Sequence, residues 1–497
     1  MELSITLRKL NEYKECFELT NLLLKENRKE LELSIQKGTC LIALREIQTG
    51  KELLLSILSR INDPIKREEV RLEIAYAYFD LNNYEDAEKI CYELLQNKKL
   101  KDEIKARVFN LMALIDIYFK NNLNSALTYF KKGLKIFEEL RMLLEVSKIE
   151  INIGNIYNIQ GINKDAETYW KSASDINISL GNILQEAYTK INFGIYYYNN
   201  FIFDKAIANY KRAYDIYFNL GLQYQQGQIL YNLGETYLST CEYKKCLDSL
   251  TKAEKIFKDF QNTKEEIEVL FLLGKLYFAI GDKKRLKIIL NESLELNEKY
   301  ISNSKYEYYV LYLKQLDLII NGEFNNIDSY TEIADIFLEL DDTINYIKAY
   351  LLLAETFINK NMYEKAETLI NNKDLIERCE SKTLFKAERF YLLGKIHDQN
   401  TYANNGNPLE WYSKSLELIE NENISELTWK ILLELARYYS HRGNYTKAND
   451  YIKYTREVIK HILGNIEDNK LAEIYMNSMG RKDALKILEY LESQSNQ

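Results

Sequence analysis

"INIGNIYNIQGINKDAETYW" (Ile151–Trp170) is followed by "INFGIYYYNNFIFDKAIANY" (Ile191–Tyr210), "YNLGETYLSTCEYKKCLDSL" (Tyr231–Leu250) and "FLLGKLYFAIGDKKRLKIIL" (Phe271–Leu290). Each stretch places a glycine fourth: Gly154, Gly194, Gly234 and Gly274, 40 residues apart. Three residues on comes Tyr157, Tyr197, Tyr237 or Tyr277. Around Gly154 the apolar residues Ile153, Ile156 and Tyr157 fall on one stripe of a helix. Ala166, Tyr169, Trp170 and Ala173 fall on one stripe of a second. Between them "NIQGIN" is a short polar turn whose glycine accepts a positive φ at a helix C-terminus. A glycine inside a helix costs about 1 kcal/mol relative to alanine. Its return at a fixed period calls for a packing reason, and close approach of the paired helix supplies one.

The pattern extends outward. Ala75, Tyr78, Asn82, Tyr84 and Ala87 repeat it cleanly upstream, as do Ala354, Phe357, Asn361, Tyr363 and Ala366 and Ala436, Tyr439, Gly443, Tyr445 and Ala448 downstream. Looser copies surround Gln315, Gly394, Tyr118, Gly38 to Gly50, and Ser4 to Cys16. The total is about twelve copies in 497 residues. One helix pair cannot bury its own apolar face, so the copies must stack. Such a chain also exceeds what one compact core holds, roughly 250–300 residues.

The unit of small residue, aromatic, turn, aromatic and small residue resembles the tetratricopeptide repeat. The 40-residue period is similar to the longer-helix kind found in kinesin light chains, spindle-orienting adaptors and bacterial regulators. The resemblance implies an all-α, right-handed α-solenoid (a superhelix) of about twelve helix pairs. First helices would line a concave groove and second helices the outside. The expected organisation is weaker repeats over 1–62, a regular array with a polar groove over 63–300, an array with a more apolar groove over 301–465, and a capping helix and tail over 466–497.

Two residues before the anchor stand Asn152, Asn192 and Asn232. In the family this position often carries an asparagine that grips a ligand backbone, and the amide's donors and acceptor suit a peptide group. The same side chain could instead fix the angle between repeats. Other expected groove residues are Lys148, Asn155, Asn158, Tyr188, Tyr198, Asn199, Gln228, Tyr231 and Glu235. Later copies carry Leu272, Leu313, Leu352 and Leu392 in the asparagine position, hence the expected apolar groove there.

Composition narrows the function. A net charge of −8 argues against nucleic acid or an anionic membrane as main partner. Only Pro64 and Pro408 interrupt the chain, as a nearly all-helical protein requires. No run of about 20 apolar residues suggests a span. The six cysteines form no metal-binding knuckles and read as buried thiols in a reducing cytoplasm. "LLGKLY" and "LLGKIH" lack the rest of a phosphate loop, and His397, His441 and His461 sit in no catalytic pattern. The expectation is a non-enzymatic cytoplasmic scaffold or adaptor, without cofactor or metal, holding a protein or peptide segment in its groove. A bacterial peptide-sensing regulator, a detached sensor arm of a kinase or ATPase system and a structural subunit are the alternatives.

Overall fold

The computed structural model describes residues 13–25, 30–300, 305–321, 328–340, 342–380, 382–399, 407–419, 426–466, 468–478 and 481–495. Among these residues there are 26 helices and no strand. The helices alternate as antiparallel pairs, such as Leu143–Ile159 with Asn163–Ser179 and Gln223–Ser239 with Tyr243–Asp259. The copy at Ser4 lies largely outside the described residues. Two compact units result, Met1–Thr189 and Lys190–Gln497, and the division falls within helix Ile183–Asn199. It does not fall near residue 300, where the change of groove character suggested a boundary.

Turn chemistry sets the period. The residue that ends the first helix of a pair takes a left-handed conformation at Asn82, Asn121, Gly161, Phe201, Cys241, Gly281, Asn361 and Gly443. Only glycine, and to a lesser degree asparagine, does so readily. Phe201 (φ 62°) and Cys241 (φ 58°) therefore hold strained backbone that the surrounding packing must enforce.

The anchor glycines have a concrete cause. A Cβ on Gly154 would lie 2.5 Å from both Cδ1 and Nε1 of Trp170. One on Gly234 would lie 2.5 Å from Leu250 Cδ2, and Gly194 and Gly394 abut the rings of Tyr210 and Tyr412. The glycine is thus a socket for a large side chain of the paired helix. Stacking then joins successive pairs. Leu72, Ala75, Ala87, Cys91, Ile104, Val108 and Met112 form one buried cluster running from one pair into the next.

The second unit closes upon itself. The C-terminal segment is a helix pair, Asn469–Asn477 and Arg481–Ser495. Ser478 Oγ donates to Ile280 O at 2.8 Å, and Arg481 Nη2 donates to Ala279 O at 2.8 Å. The expected cap therefore docks on helix Thr263–Ile280, about two hundred residues earlier. Phe201 meets Phe385 edge to face at 5.6 Å, a second contact across the same unit. Pro408 opens its helix, where a missing N–H costs little. Pro64 likewise opens a first helix, behind the N-cap Asp63. The second helix after Met362 is broken into Tyr363–Ile370 and Lys373–Glu380.

Candidate functional site

First helices of the second unit present two adjoining cavities that share Glu235. The first, about 490 Å³, is walled by Tyr198, Asn199, Tyr231, Asn232 and Glu235, five of the expected groove residues, together with Tyr309 and Asn345. Burial, with the nearby Glu235 carboxylate second, pushes the Tyr198 and Tyr231 hydroxyls well up, so both stay neutral donors. Tyr198 shares a 3.4 Å hydrogen bond with Ser239 Oγ. The amides of Asn192 and Asn232 are half-buried. Among the described residues neither makes a side-chain hydrogen bond.

The other expected residues are placed differently. Lys148, Asn152, Asn155, Asn158 and Tyr188 belong to the first unit. Asn155 Oδ1 accepts from Trp170 Nε1 at 3.1 Å, which ties it to packing of the pair. Lys148 is paired with Glu145 at 3.0 Å. Tyr188 and Gln228 are exposed. Asn192 does not line the 490 Å³ cavity.

The second cavity, about 300 Å³, lies among the later copies, where a more apolar groove was expected. Leu272, Leu313 and Leu392 are buried in the packing, and of the four leucines Leu352 reaches this wall. Charged side chains stand among apolar ones. Glu235, Lys275, Lys348, Glu355, Glu388 and Lys430 border the space, with Phe278, Tyr312 and Phe385 between them. Lys430 and Glu355 form an ion pair at 2.7 Å. Burial alone would raise Glu355 and lower Lys430, but each partner's charge outweighs it and keeps both ionised. Lys275 is pushed down to about 7, by burial first and the charge of Lys348 second. Glu388 is pushed up to about 7, by burial first and Glu355 second.

These residues were missed for a simple reason. Most of the charged side chains of this cavity fall in two columns of the repeat, one residue after the anchor and six before it. The two are seven residues, about two turns, apart and so share a face. Lys148 and Asn155, Tyr188, and Gln228 and Glu235 occupy these columns in the early copies. Lys275, Lys348, Glu355, Glu388 and Lys430 occupy them later. In the leucine column, Leu272, Leu313 and Leu392 face the packing, so that column does not report the charge on the wall.

Glu426 also borders this cavity and joins the closure. Its carboxylate accepts 2.8 Å hydrogen bonds from the Tyr243 and Tyr475 hydroxyls and from Trp429 Nε1, and pairs with Arg481 at 3.0 Å. Burial would raise its pKa. Arg481 and the donors more than offset that and hold it below the usual range. A cavity of about 870 Å³ lies alongside, bounded by Glu426, Arg481, Phe278 and Ser478.

Among the described residues, no cluster of three or more His, Cys, Asp or Glu could hold a metal. No described helix is long and apolar enough to cross a membrane. All six cysteines are buried, and none is in a disulfide.

A tetratricopeptide repeat family model matches residues 267–300, and the helix pairs around it repeat the same geometry. The chain carries repeats of the tetratricopeptide type. No curated protein matches it in sequence. Among solved structures, this repeat protein is similar to a Rap protein complexed with Competence and Sporulation Factor. That match has a TM-score of 0.54 at 15% identity and covers 70% of this chain and 99% of the other. It is also similar to aspartyl phosphate phosphatase F from Bacillus subtilis, at a TM-score of 0.52 and 12% identity, covering 70% and 93%. A third is a Signal Transduction ATPase with Numerous Domains with a tetratricopeptide repeat sensor, from Pyrococcus horikoshii. There the TM-score is 0.50 at 16% identity, covering 67% of this chain and 54% of the other. Identities this low speak to the fold alone.

Proposed function

We propose that the chain is a non-enzymatic, cytoplasmic scaffold or sensor that holds a peptide, or a peptide segment of a partner protein, against the inner wall of its second unit. The observation that carries this reading is the 490 Å³ cavity, where Asn199, Asn232 and Asn345 stand among Tyr198, Tyr231 and Tyr309. Amides match the donors and acceptors of an extended backbone. Tyrosines supply large contact area and a neutral polar tip at low entropic cost. Among the described residues Lys382 is the single cationic side chain bordering it, too few for a nucleic-acid backbone. The similar Rap structure holds Competence and Sporulation Factor, and the similar ATPase carries its repeats as a sensor, which supports the same use of this fold.

The test is selection from a random peptide library displayed on phage. The full chain should enrich a defined motif. The Asn199→Ala, Asn232→Ala double variant, with unchanged circular dichroism, should lose it. Equal enrichment by both proteins would refute the cavity as the binding site.

A further inference from the structure

We propose that the 300 Å³ cavity of the second unit binds a single carboxylate carried on an apolar body, gripped between the ammonium groups of Lys275 and Lys348. This site is distinct from the tyrosine and asparagine cavity and does not depend on a peptide entering it.

Lys275 and Lys348 project into one small space from helices Thr263–Ile280 and Thr343–Asn359. Among the described residues neither lies in an ion pair. Lys275 Nζ donates to the neutral Asn345 Oδ1 at 3.1 Å, and Lys348 Nζ stands 6.0 Å from the Phe385 ring centroid. The other cations nearby are already matched, Lys430 by Glu355 and Arg481 by Glu426. Two like charges set against one another are costly unless an anion joins them or a proton leaves. Lys275 shows the second outcome, since burial and Lys348 bring it down to about 7.

The surroundings select among anions. Leu238, Phe278, Tyr312 and Leu316 give the cavity apolar walls that favour an aliphatic or aromatic body. Glu235 and Glu388 border the same space and would repel a second negative charge, so a carboxylate fits better than a phosphate dianion. Lys275 is faced by Lys348, Glu235, Asp342 and Asn345. A carboxylate placed among them restores the ammonium form, so binding near neutral pH takes up a proton.

Titration calorimetry of the full chain with phenylbutyrate, phenylbutanol and inorganic phosphate tests this. Phenylbutyrate should bind saturably and at least tenfold more tightly than phenylbutanol or phosphate. Buffers of different ionisation enthalpy should reveal net proton uptake. Lys348→Met should weaken phenylbutyrate at least tenfold while raising the melting temperature of the unliganded protein, because a repulsion is removed. Equal affinity for acid and alcohol, tighter binding of phosphate, or no saturable binding of the acid would each overturn the proposal, whether or not the variant folds. A folded Lys348→Met protein that keeps full affinity would overturn it too.

Discussion

The two cavities that meet at Glu235 are built by the same backbone and finished in opposite chemistry. One presents amides and tyrosine hydroxyls. The other presents three lysines and four glutamates around an apolar floor. First helices supply most of both walls, so the difference lies in the side chains they carry. A repeat fold fixes positions, and the residues placed there decide the ligand. The charged cavity also depends on more of the chain, because Glu426 and Lys430 come from the helix that the C-terminal pair locks in place.

That dependence gives the largest expected effect. Glu426→Ala removes the partner of Arg481, which is 5% exposed, and leaves a buried charge unmatched. The expected loss is about 3–5 kcal/mol. Hydrogen exchange should show residues 469–495 losing protection while helix Gln223–Ser239 keeps it. Next comes the reverse experiment. Gly194→Leu drives a side chain into the ring of Tyr210, which lines the amide cavity. Overpacking there should cost about 1–3 kcal/mol in denaturant unfolding. It should impair peptide binding and spare the charged cavity.

Smaller and opposite in sign are the effects of removing buried charge. Lys275 is depressed in the fold, so the unfolded chain binds more protons between pH 7 and its ordinary range. Its penalty is full below about pH 7 and is relieved as pH rises. Glu388 is raised, so its penalty is absent at its ordinary pKa and below, and full above about pH 7. Lys275→Met and Glu388→Gln should each stabilise the protein by about 1–2 kcal/mol at neutral pH. The Lys275→Met gain should vanish toward alkaline pH and the Glu388→Gln gain toward acid pH, read as melting temperature across pH. The smallest effect is on stability in Asn232→Ala, within about 0.5 kcal/mol, since this half-buried amide makes no side-chain hydrogen bond among the described residues.

The fold was legible because it is local. A glycine at the socket, an aromatic one turn later and a left-handed residue after the first helix recur within each 40-residue unit. The sterics behind them involve only the paired helix, as Gly154 and Trp170 show. Part of the site was legible for the same reason, since Tyr231, Asn232 and Glu235 sit one turn or less from their anchor. What stayed hidden is long-range. Tyr243 reaches Glu426, and Arg481 reaches Ala279, only because the second unit curves back upon itself. No spacing rule encodes that. The charged wall was hidden for a lesser reason: the leucines in the asparagine column drew the eye, although Leu313 is fully buried and touches no cavity wall.

The most direct test of the account is site-specific photo-cross-linking. A photoreactive phenylalanine analogue replaces either Tyr231, which lines the amide cavity, or Phe218, which is 63% exposed. The probe is the peptide enriched from the phage library. Cross-linking at position 231 and not at 218 is the predicted result. Cross-linking at 218 with none at 231 would contradict the claim that the inner wall of the second unit is where this protein binds.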